Sequence, residues 1–253
     1  MRSLQKAGVL FCFSTAYNRG MKMKIYAVIL AITTVFCTAV GMCVRTLNEC
    51  PVAAFSNNMR IVVDAGHGGM DGGVCGRETG VKESDLNLAV SLILKEELSD
   101  MGFEVVLTRK TEAGLYDTTA RGFKKRDMQK RKSLIEETKP ALIISVHQNF
   151  YPTKSARGGQ VFYSKKQEGS QRLAEGIQGK LNGLYAEEKV KGRKSTAAEY
   201  FMLECYPCPS VIVECGFLSN RLDEALLCSV SWKRKLAQEI AGGVLSYFSD
   251  FAV

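Results

Sequence analysis

The fold of this 253-residue chain is decided by residues 61–69, which read IVVDAGHGG. The β-branched run at 61–63 favours a strand, because such side chains fit the pleated surface of a sheet. The glycines after Asp64 allow a sharp turn and a close approach to a ligand, and His67 lies on that turn. In α/β proteins, ligands bind just past the carboxyl ends of strands. We therefore expect a strand that brings a histidine to a binding site.

Two further apolar runs end in residues that can bind a metal or transfer a proton. Residues 141–147 read ALIISVH and end in the only other histidine of the chain. Residues 211–214 read VIVE. Because neighbouring strand ends converge in an α/β fold, residues far apart in the sequence can meet at one site. We therefore expect His67, His147 and Glu214 to lie close together.

Amphipathic segments alternate with these strands. After the first strand, apolar residues at helical spacing predict a helix that Ser84 caps and Gly102 ends. Further helices are predicted at about 124–138, 173–184, 222–227 and 232–248, and further strands at 103–107 and 159–163, the last near a sheet edge. The alternation predicts an α/β fold: a single domain with a mainly parallel twisted sheet flanked by helices.

The N-terminal part of the chain differs from this domain. Residues 25–44 are uncharged and almost wholly apolar, a length that can cross a bilayer as a helix. Basic residues before this segment favour a cytoplasmic N-terminus, so the domain would lie on the extracytoplasmic side. A cleaved signal peptide is the competing interpretation. We expect either a membrane-anchored or a secreted protein.

The rest of the chain is divided around that segment. Residues 1–24 are interpreted as a basic cytoplasmic segment, which would include an over-extended start if translation began at Met21 or Met23. Residues 45–59 are interpreted as a polar linker, and residues 60–250 as the folded domain.

The charge of the chain limits its partners. The formal net charge is +8 at pH 7, which suits an anionic surface such as a membrane or a cell-wall polymer. The basic residues are scattered or cluster on polar helix faces without interleaved aromatic residues. Nucleic acid is therefore not expected as a partner.

Nine cysteines leave the redox state open. Cys205 and Cys208 have the CxxC spacing, yet no second CxxC exists that would complete a structural zinc site. A redox pair or a disulfide is one interpretation of these two residues. Cys215 is interpreted as a small buried apolar residue.

Two histidines and one carboxylate form a typical ligand set of catalytic zinc, which keeps a fourth position for water. Glu214 ends an apolar run, and a carboxylate buried there must be paired or used. Glu83 is a second acidic candidate, although an acid near a helix start also stabilises the helix dipole. A histidine at a strand end often has a purely structural role. The residues alone therefore leave a zinc site as one of two interpretations.

Four linked motifs resemble those of a known enzyme family. They read DAGHGG at 64–69, ESDLNL at 83–88, SVHQN at 145–149 and VECGFLSN at 213–220. In this order they are similar to the zinc-dependent N-acetylmuramoyl-L-alanine amidases of the amidase-3 type, over about residues 60–248. The resemblance implies the amidase-3 fold, which is of the phosphorylase/hydrolase-like type.

The resemblance also implies the chemistry of the site. In the family the matching histidines and first glutamate bind zinc, and the last glutamate is catalytic. Carried over, this gives His67, Glu83 and His147 as ligands of Zn²⁺ and Glu214 as general acid/base. The implied reaction is hydrolysis of the amide between the lactyl group of N-acetylmuramic acid and L-alanine, with peptidoglycan as the substrate.

Some motif residues depart from the commonest family pattern. Ala65, Ser84 and Gln148 stand where proline, lysine and alanine are frequent, and none of them is an implied ligand. The sequences HQN at 147–149 and YFML at 200–203 resemble a subgroup, the germination-specific amidases of spore formers. That subgroup implies a role in spore cortex maturation, where muramic-δ-lactam forms, and a location in the forespore intermembrane space. An accessory protein for localisation or activation is left open as a further partner.

Other functions are weighed against this one. Another zinc amide hydrolase, a peptidase or deacetylase, would use the same ligands on a different amide. A non-catalytic wall-binding regulatory domain predicts a broken site, whereas all four key positions are intact. A glycosidase with Glu83 and Glu214 as paired carboxylates leaves both histidines unexplained.

Two polar residues near the motifs have two candidate roles each. Asp64 would either hydrogen-bond a ligand histidine or cap the turn. Arg109 would either hold a substrate carboxylate or form a structural ion pair.

Overall fold

The structure is a computed structural model that describes Lys24 and residues 30–34, 59–117 and 120–249. The predicted membrane segment and linker therefore lie largely outside the described residues, although residues 30–34 are helical. Among the helices of the described residues, none is both long enough and apolar enough to span a membrane. The elements that follow all lie in a unit formed by residues 52–253.

Six strands in this part of the chain form one sheet. They are β1 (Arg60–Ala65), β2 (Glu104–Leu107), β3 (Leu142–Asn149), β4 (Gln160–Tyr163), β5 (Thr196–Ala197) and β6 (Ser210–Phe217). Their order is β2-β1-β3-β6-β4-β5, and the β4–β6 pair is antiparallel while the other pairs are parallel. The prediction of a mainly parallel sheet is confirmed. Strand β4 lies near a sheet edge, as predicted. Among the described strands only β5 pairs outside it, and this strand of two residues is too short for a sequence pattern.

Six helices of the described residues flank this sheet. They are α1 (Glu83–Asp100), α2 (Phe123–Thr138), α3 (Ser170–Ala186), α4 (Phe201–Glu204), α5 (Arg221–Cys228) and α6 (Val230–Ser249). The predicted cap at Ser84 is wrong, because α1 begins one residue earlier, at Glu83. The backbone N–H groups of Glu83 and Ser84 donate to the carbonyls of Val74 and Gly72. The preceding loop thus supplies the acceptors that a capping side chain usually provides.

The sheet is buried on both faces. Ile61 and Val63 of β1 belong to the larger apolar cluster with residues of α1, α3 and α6, while Val62 belongs to a smaller cluster with residues of α2 and α4. Side chains alternate between the two faces of a strand, so a continuous apolar run fits this layered arrangement. Because the two apolar clusters cover the faces of the sheet, the polar side chains lie at the carboxyl ends of the central strands.

Candidate active site

Three neighbouring strands carry the predicted site residues. His67 lies two residues after the end of β1, His147 lies in β3 and Glu214 lies in β6. The order β1-β3-β6 makes these strands neighbours. His147 and Glu214 are directly opposite in the β3–β6 register. Glu83 joins them as the first residue of α1. One ligand atom from each of His67, Glu83 and His147 lies within 4.8 Å of the other two.

The backbone of the glycine-rich loop makes this convergence possible. His67 has a φ of 61°, in the left-handed region that few residues other than glycine adopt. A Cβ atom on Gly66 would overlap the His147 ring, and a Cβ atom on Gly73 would overlap the Glu83 carboxylate. Glycine at these two positions therefore keeps the space that the histidine and the carboxylate occupy.

Glu83 links the two histidines. Its Oε1 lies 3.0 Å from His147 Nδ1 and 3.3 Å from His67 Nε2, while its Oε2 accepts a hydrogen bond from the Val74 N–H at 3.0 Å. Burial pushes the pKa of Glu83 upward, but its contacts with His147 and His67 outweigh burial and hold that pKa well below its usual range. The carboxylate is therefore ionised at neutral pH, as a metal ligand must be.

The outer nitrogen of His67 has a carboxylate partner that the sequence analysis missed. Asp71 Oδ2 lies 3.1 Å from His67 Nδ1, and Asp71 Oδ1 accepts a hydrogen bond from Lys124 Nζ at 2.9 Å. A carboxylate on the outer ring nitrogen is the usual device that orients a metal-binding histidine. An acid four residues after a histidine on a glycine-rich loop was the available signal.

Glu214 differs from the other acids of the site. The residue is half-buried, and its Oε2 is buried without a hydrogen-bond partner among the described residues. Burial raises the pKa of Glu214 to about 7. A carboxyl group with such a pKa can both accept and donate a proton near neutral pH.

Asp64 takes neither of its two predicted roles. Its carboxylate accepts hydrogen bonds from Thr108 and Ser145 and pairs with the buried Arg131. Arg131 in turn donates to the backbone carbonyl of His67 at 2.6 Å. Asp64 therefore anchors the turn that carries His67 through a buried arginine, which no local sequence pattern indicated.

Arg109 does not form the predicted ion pair within the described part of the chain, and its contact with a substrate stays a prediction. The side chain is 3% exposed and donates to the backbone carbonyls of Ala65, Gly66, Ser84 and Thr111. No carboxylate among the described residues forms an ion pair with it. Arg109 ties the end of β1 to the start of α1 through four hydrogen bonds to backbone carbonyls.

An apolar pocket of about 300 Å³ opens beside His67 and His147. Its aromatic and thioether side chains come from the loop before α2, from α2 and from the segment around α4: Tyr116, Phe123, Met128, Tyr200, Phe201 and Met202. The run at 200–203 thus lies at the site, a position that its resemblance to a subgroup did not predict. A long apolar part of a ligand would find contact area here.

The CxxC pair lies between α4 and β6. Cys205 and Cys208 are both free thiols in this structure and are buried in the smaller apolar cluster. Burial raises the pKa of each thiol to about 11, which keeps both protonated at neutral pH. Cys215 is fully buried in the larger cluster, as the sequence indicated.

Comparison with known proteins identifies the family of the chain. The family model for N-acetylmuramoyl-L-alanine amidase, Amidase_3, matches residues 61–246. The germination-specific N-acetylmuramoyl-L-alanine amidase of Bacillus subtilis is 30% identical over 193 residues, which cover 75% of this chain and 80% of that protein.

Solved structures resemble the chain over the same region. The CwlD amidase from Clostridioides difficile, solved in complex with the GerS lipoprotein, has a TM-score of 0.72 and 32% identity and covers 76% of this chain and 100% of that one. The catalytic domain of CwlV, an N-acetylmuramoyl-L-alanine amidase from Bacillus (Paenibacillus) polymyxa, has a TM-score of 0.64 and 26% identity over 76% of this chain and 98% of that one. The chain therefore belongs to the amidase-3 family and is an N-acetylmuramoyl-L-alanine amidase.

Proposed function

We propose that this protein hydrolyses the amide between the lactyl group of N-acetylmuramic acid and L-alanine with the help of one zinc ion. The observation that carries the proposal is the juxtaposition of two kinds of group. Two histidines and an ionised glutamate converge within 4.8 Å. On the strand next to His147, Glu214 has a carboxylate oxygen with no hydrogen-bond partner among the described residues.

The donor set fits zinc better than it fits magnesium or calcium. Two imidazole nitrogens and one carboxylate oxygen suit Zn²⁺, whereas magnesium and calcium take oxygen ligands. The low pKa of Glu83 keeps the carboxylate ionised, and Asp71 accepts from the outer nitrogen of His67. His67, Glu83 and His147 would thus hold the ion and leave a position free for other ligands.

In the proposed reaction, Glu214 transfers the proton and Asp71 positions a metal ligand. Bound zinc supplies Lewis acidity, which acidifies water and polarises the amide carbonyl. Glu214 accepts a proton from the attacking water on its carboxylate and delivers it to the alanine nitrogen as the C–N bond breaks. The surroundings of Glu214 suit both halves of this transfer, because burial brings its pKa close to neutral. Asp71 keeps the imidazole ring of His67 oriented.

Digestion of purified peptidoglycan tests this proposal. The full chain is incubated with zinc or with a chelator, and new amino termini are identified. We expect free N-terminal alanine only in the zinc-loaded sample. Termini of other residues would favour a peptidase, release of acetate would favour a deacetylase, and equal digestion by the chelated protein would contradict the use of zinc.

We further propose that the substrate is spore cortex and that the domain works on the extracytoplasmic side, in the forespore intermembrane space, with residues 25–44 as signal-anchor or signal peptide. The support is the similarity to a germination-specific amidase of Bacillus subtilis. The complex of the Clostridioides difficile relative with a lipoprotein supports an accessory protein as a partner. Deleting the gene in its host should abolish muramic-δ-lactam in the cortex; a cortex of unchanged composition would contradict this role.

A further inference from the structure

A basic pocket of about 420 Å³ lies beyond Glu214, on the side away from the histidines. The segment after α3 and the loop before β4 form it, and its charged lining consists of Arg157, Lys189, Lys191 and Arg193. Among the described residues that line it there is no acid. Asp223 pairs with Arg157, but Lys189, Lys191 and Arg193 have no carboxylate partner within the part of the chain that the structure describes.

Arg193 is held in a fixed position within this pocket. Asn182 accepts from its backbone N–H at 2.9 Å and donates to its carbonyl at 2.8 Å. Its Nε donates to the Arg157 carbonyl at 2.8 Å, and its guanidinium lies 4.6 Å from the centroid of the Phe217 ring. A guanidinium that is already ordered loses little entropy when it binds an anion.

The protein leaves donors of this pocket unused. Arg157 Nη2 is buried and has no hydrogen-bond partner among the described residues, and Arg193 Nη2 donates to none of them either. Because buried and ordered donors are normally satisfied, this excess indicates a ligand that brings acceptors. A carboxylate matches a guanidinium in geometry and in charge.

One residue connects this pocket to the candidate catalytic carboxylate. Arg193 Nη1 donates to Gln160 Oε1 at 3.2 Å, and Gln160 is directly opposite Glu214 in the β4–β6 register. Neighbouring strands are about 4.8 Å apart, so Arg193 lies within a few residues of extended peptide from Glu214. The histidines lie on the opposite side of Glu214, in β3 and at the end of β1.

We propose that Arg193 binds a carboxylate of the peptide that the reaction releases, so that the peptide runs from the metal ligands past Glu214 into the basic pocket. This inference rests on the proposed function, in which the leaving group is a peptide that begins with L-alanine. Arg193 is then a substrate-binding residue that favours substrates with a free peptide carboxylate over their amides.

Binding of the released peptide tests this directly and does not depend on turnover. The zinc-loaded full chain is titrated calorimetrically with the peptide in free-acid form and with its carboxylates amidated. We expect the wild type to bind the acid about tenfold more tightly than the amide, as the loss of one charge-assisted hydrogen-bonded contact implies. Arg193→Gln should bind both forms equally, and Arg193→Lys should keep part of the preference. Lys180→Gln, the same charge change on the exposed face of α3, should behave as the wild type.

The outcomes separate this inference from the proposed function. If the wild type bound the free-acid and the amidated peptide with equal affinity, the inference would be overturned. Binding of inorganic phosphate in the pocket would not rescue it. The inference would also be overturned if Arg193→Gln still bound the free-acid peptide more tightly than the amide and unfolded like the wild type. The titration could show a preference for the free acid that depends on Arg193, while the zinc-loaded protein leaves peptidoglycan intact. This result would uphold the binding site and contradict the proposed reaction.

Discussion

Two strands of the sheet end in nearly the same sequence, yet their terminal carboxylates have opposite surroundings. Strand β1 reads IVVD at 61–64, and β6 reads VIVE at 211–214. Asp64 has an arginine and two hydroxyl groups as partners. Burial raises its pKa, but Arg131 and the hydrogen bonds from Ser145 and Thr108 together outweigh burial and lower that pKa to about 2. Glu214 has a buried oxygen without a partner among the described residues, and burial raises its pKa to about 7.

The comparison shows that partners from other elements decide what a strand-end acid does. Arg131 comes from α2 and Thr108 from the segment after β2, and together they keep Asp64 ionised. Arg131 also holds the carbonyl of His67, so Asp64 supports the site through the backbone. Within the described part of the chain Glu214 has no such partners, so its carboxyl group can exchange a proton. The predictions below test this division, from the largest expected effect on free energy to the smallest.

Asp64→Asn should destabilise the protein by about 3 kcal/mol, because it leaves the buried Arg131 with a single carboxylate partner, Asp127. Urea unfolding monitored by circular dichroism measures this loss. Asp117→Asn is the matched control. It removes an exposed ion pair with Lys130, which lies on α2 next to Arg131, and should leave the unfolding midpoint unchanged. Equal midpoints for Asp64→Asn and the control would contradict the structural role assigned to Asp64.

The stabilisation from Asp64 should also depend on pH. Its folded pKa is about 2 against an ordinary value of 3.8, so the stabilisation is present above about pH 4 and is lost as the pH falls through 2. The difference in unfolding free energy between the wild type and Asp64→Asn should shrink by about 2 kcal/mol between pH 5 and pH 2. Unfolding curves at several pH values provide the measurement. A difference that stays constant over this range would contradict an ionised Asp64.

Asp71→Ala should weaken zinc binding about 10- to 100-fold, because His67 loses the acceptor that orients its ring. Competition with a chromophoric chelator gives the dissociation constant. Lys124→Gln is the control, as it removes the exposed partner of Asp71 and leaves the contact with His67 in place. Equal zinc affinity in Asp71→Ala and Lys124→Gln would show that Asp71 does not support the metal site.

Glu214→Gln should leave the stability of the metal-free protein unchanged or raise it by about 1 kcal/mol, because no partner is lost and a buried charge is removed. Urea unfolding in the presence of chelator isolates this effect from zinc binding. A loss as large as the one expected for Asp64→Asn would mean that Glu214 is a structural acid like Asp64.

Local patterns predicted much of the fold and the proximity of His67 and His147. The apolar runs ending at Asp64, His147 and Glu214 correspond to β1, β3 and β6, and the alternation of elements gave the parallel sheet. Convergence of His67 with His147 followed from strand ends alone. These features depend on continuous segments, which a sequence displays directly.

Features built from distant segments could not be predicted in the same way. The start of α1 depends on carbonyls of the loop at 72–74, and the orientation of His67 depends on Asp71. Arg109 looked like a candidate for a substrate or an ion pair, but its side chain donates to backbone carbonyls of the tertiary structure. The contrast between Asp64 and Glu214 is of this kind, because the side chains that differ around them come from other elements.

The most direct test of the account is the hydrolysis rate of Glu214→Gln at zinc content matched to the wild type. Release of N-terminal alanine from peptidoglycan and bound zinc are measured on the same samples. The account predicts one zinc per chain in both proteins and a rate about 100- to 10,000-fold lower in the variant, as loss of a general acid/base implies. A rate close to that of the wild type, or loss of zinc together with activity, would contradict the role assigned to Glu214.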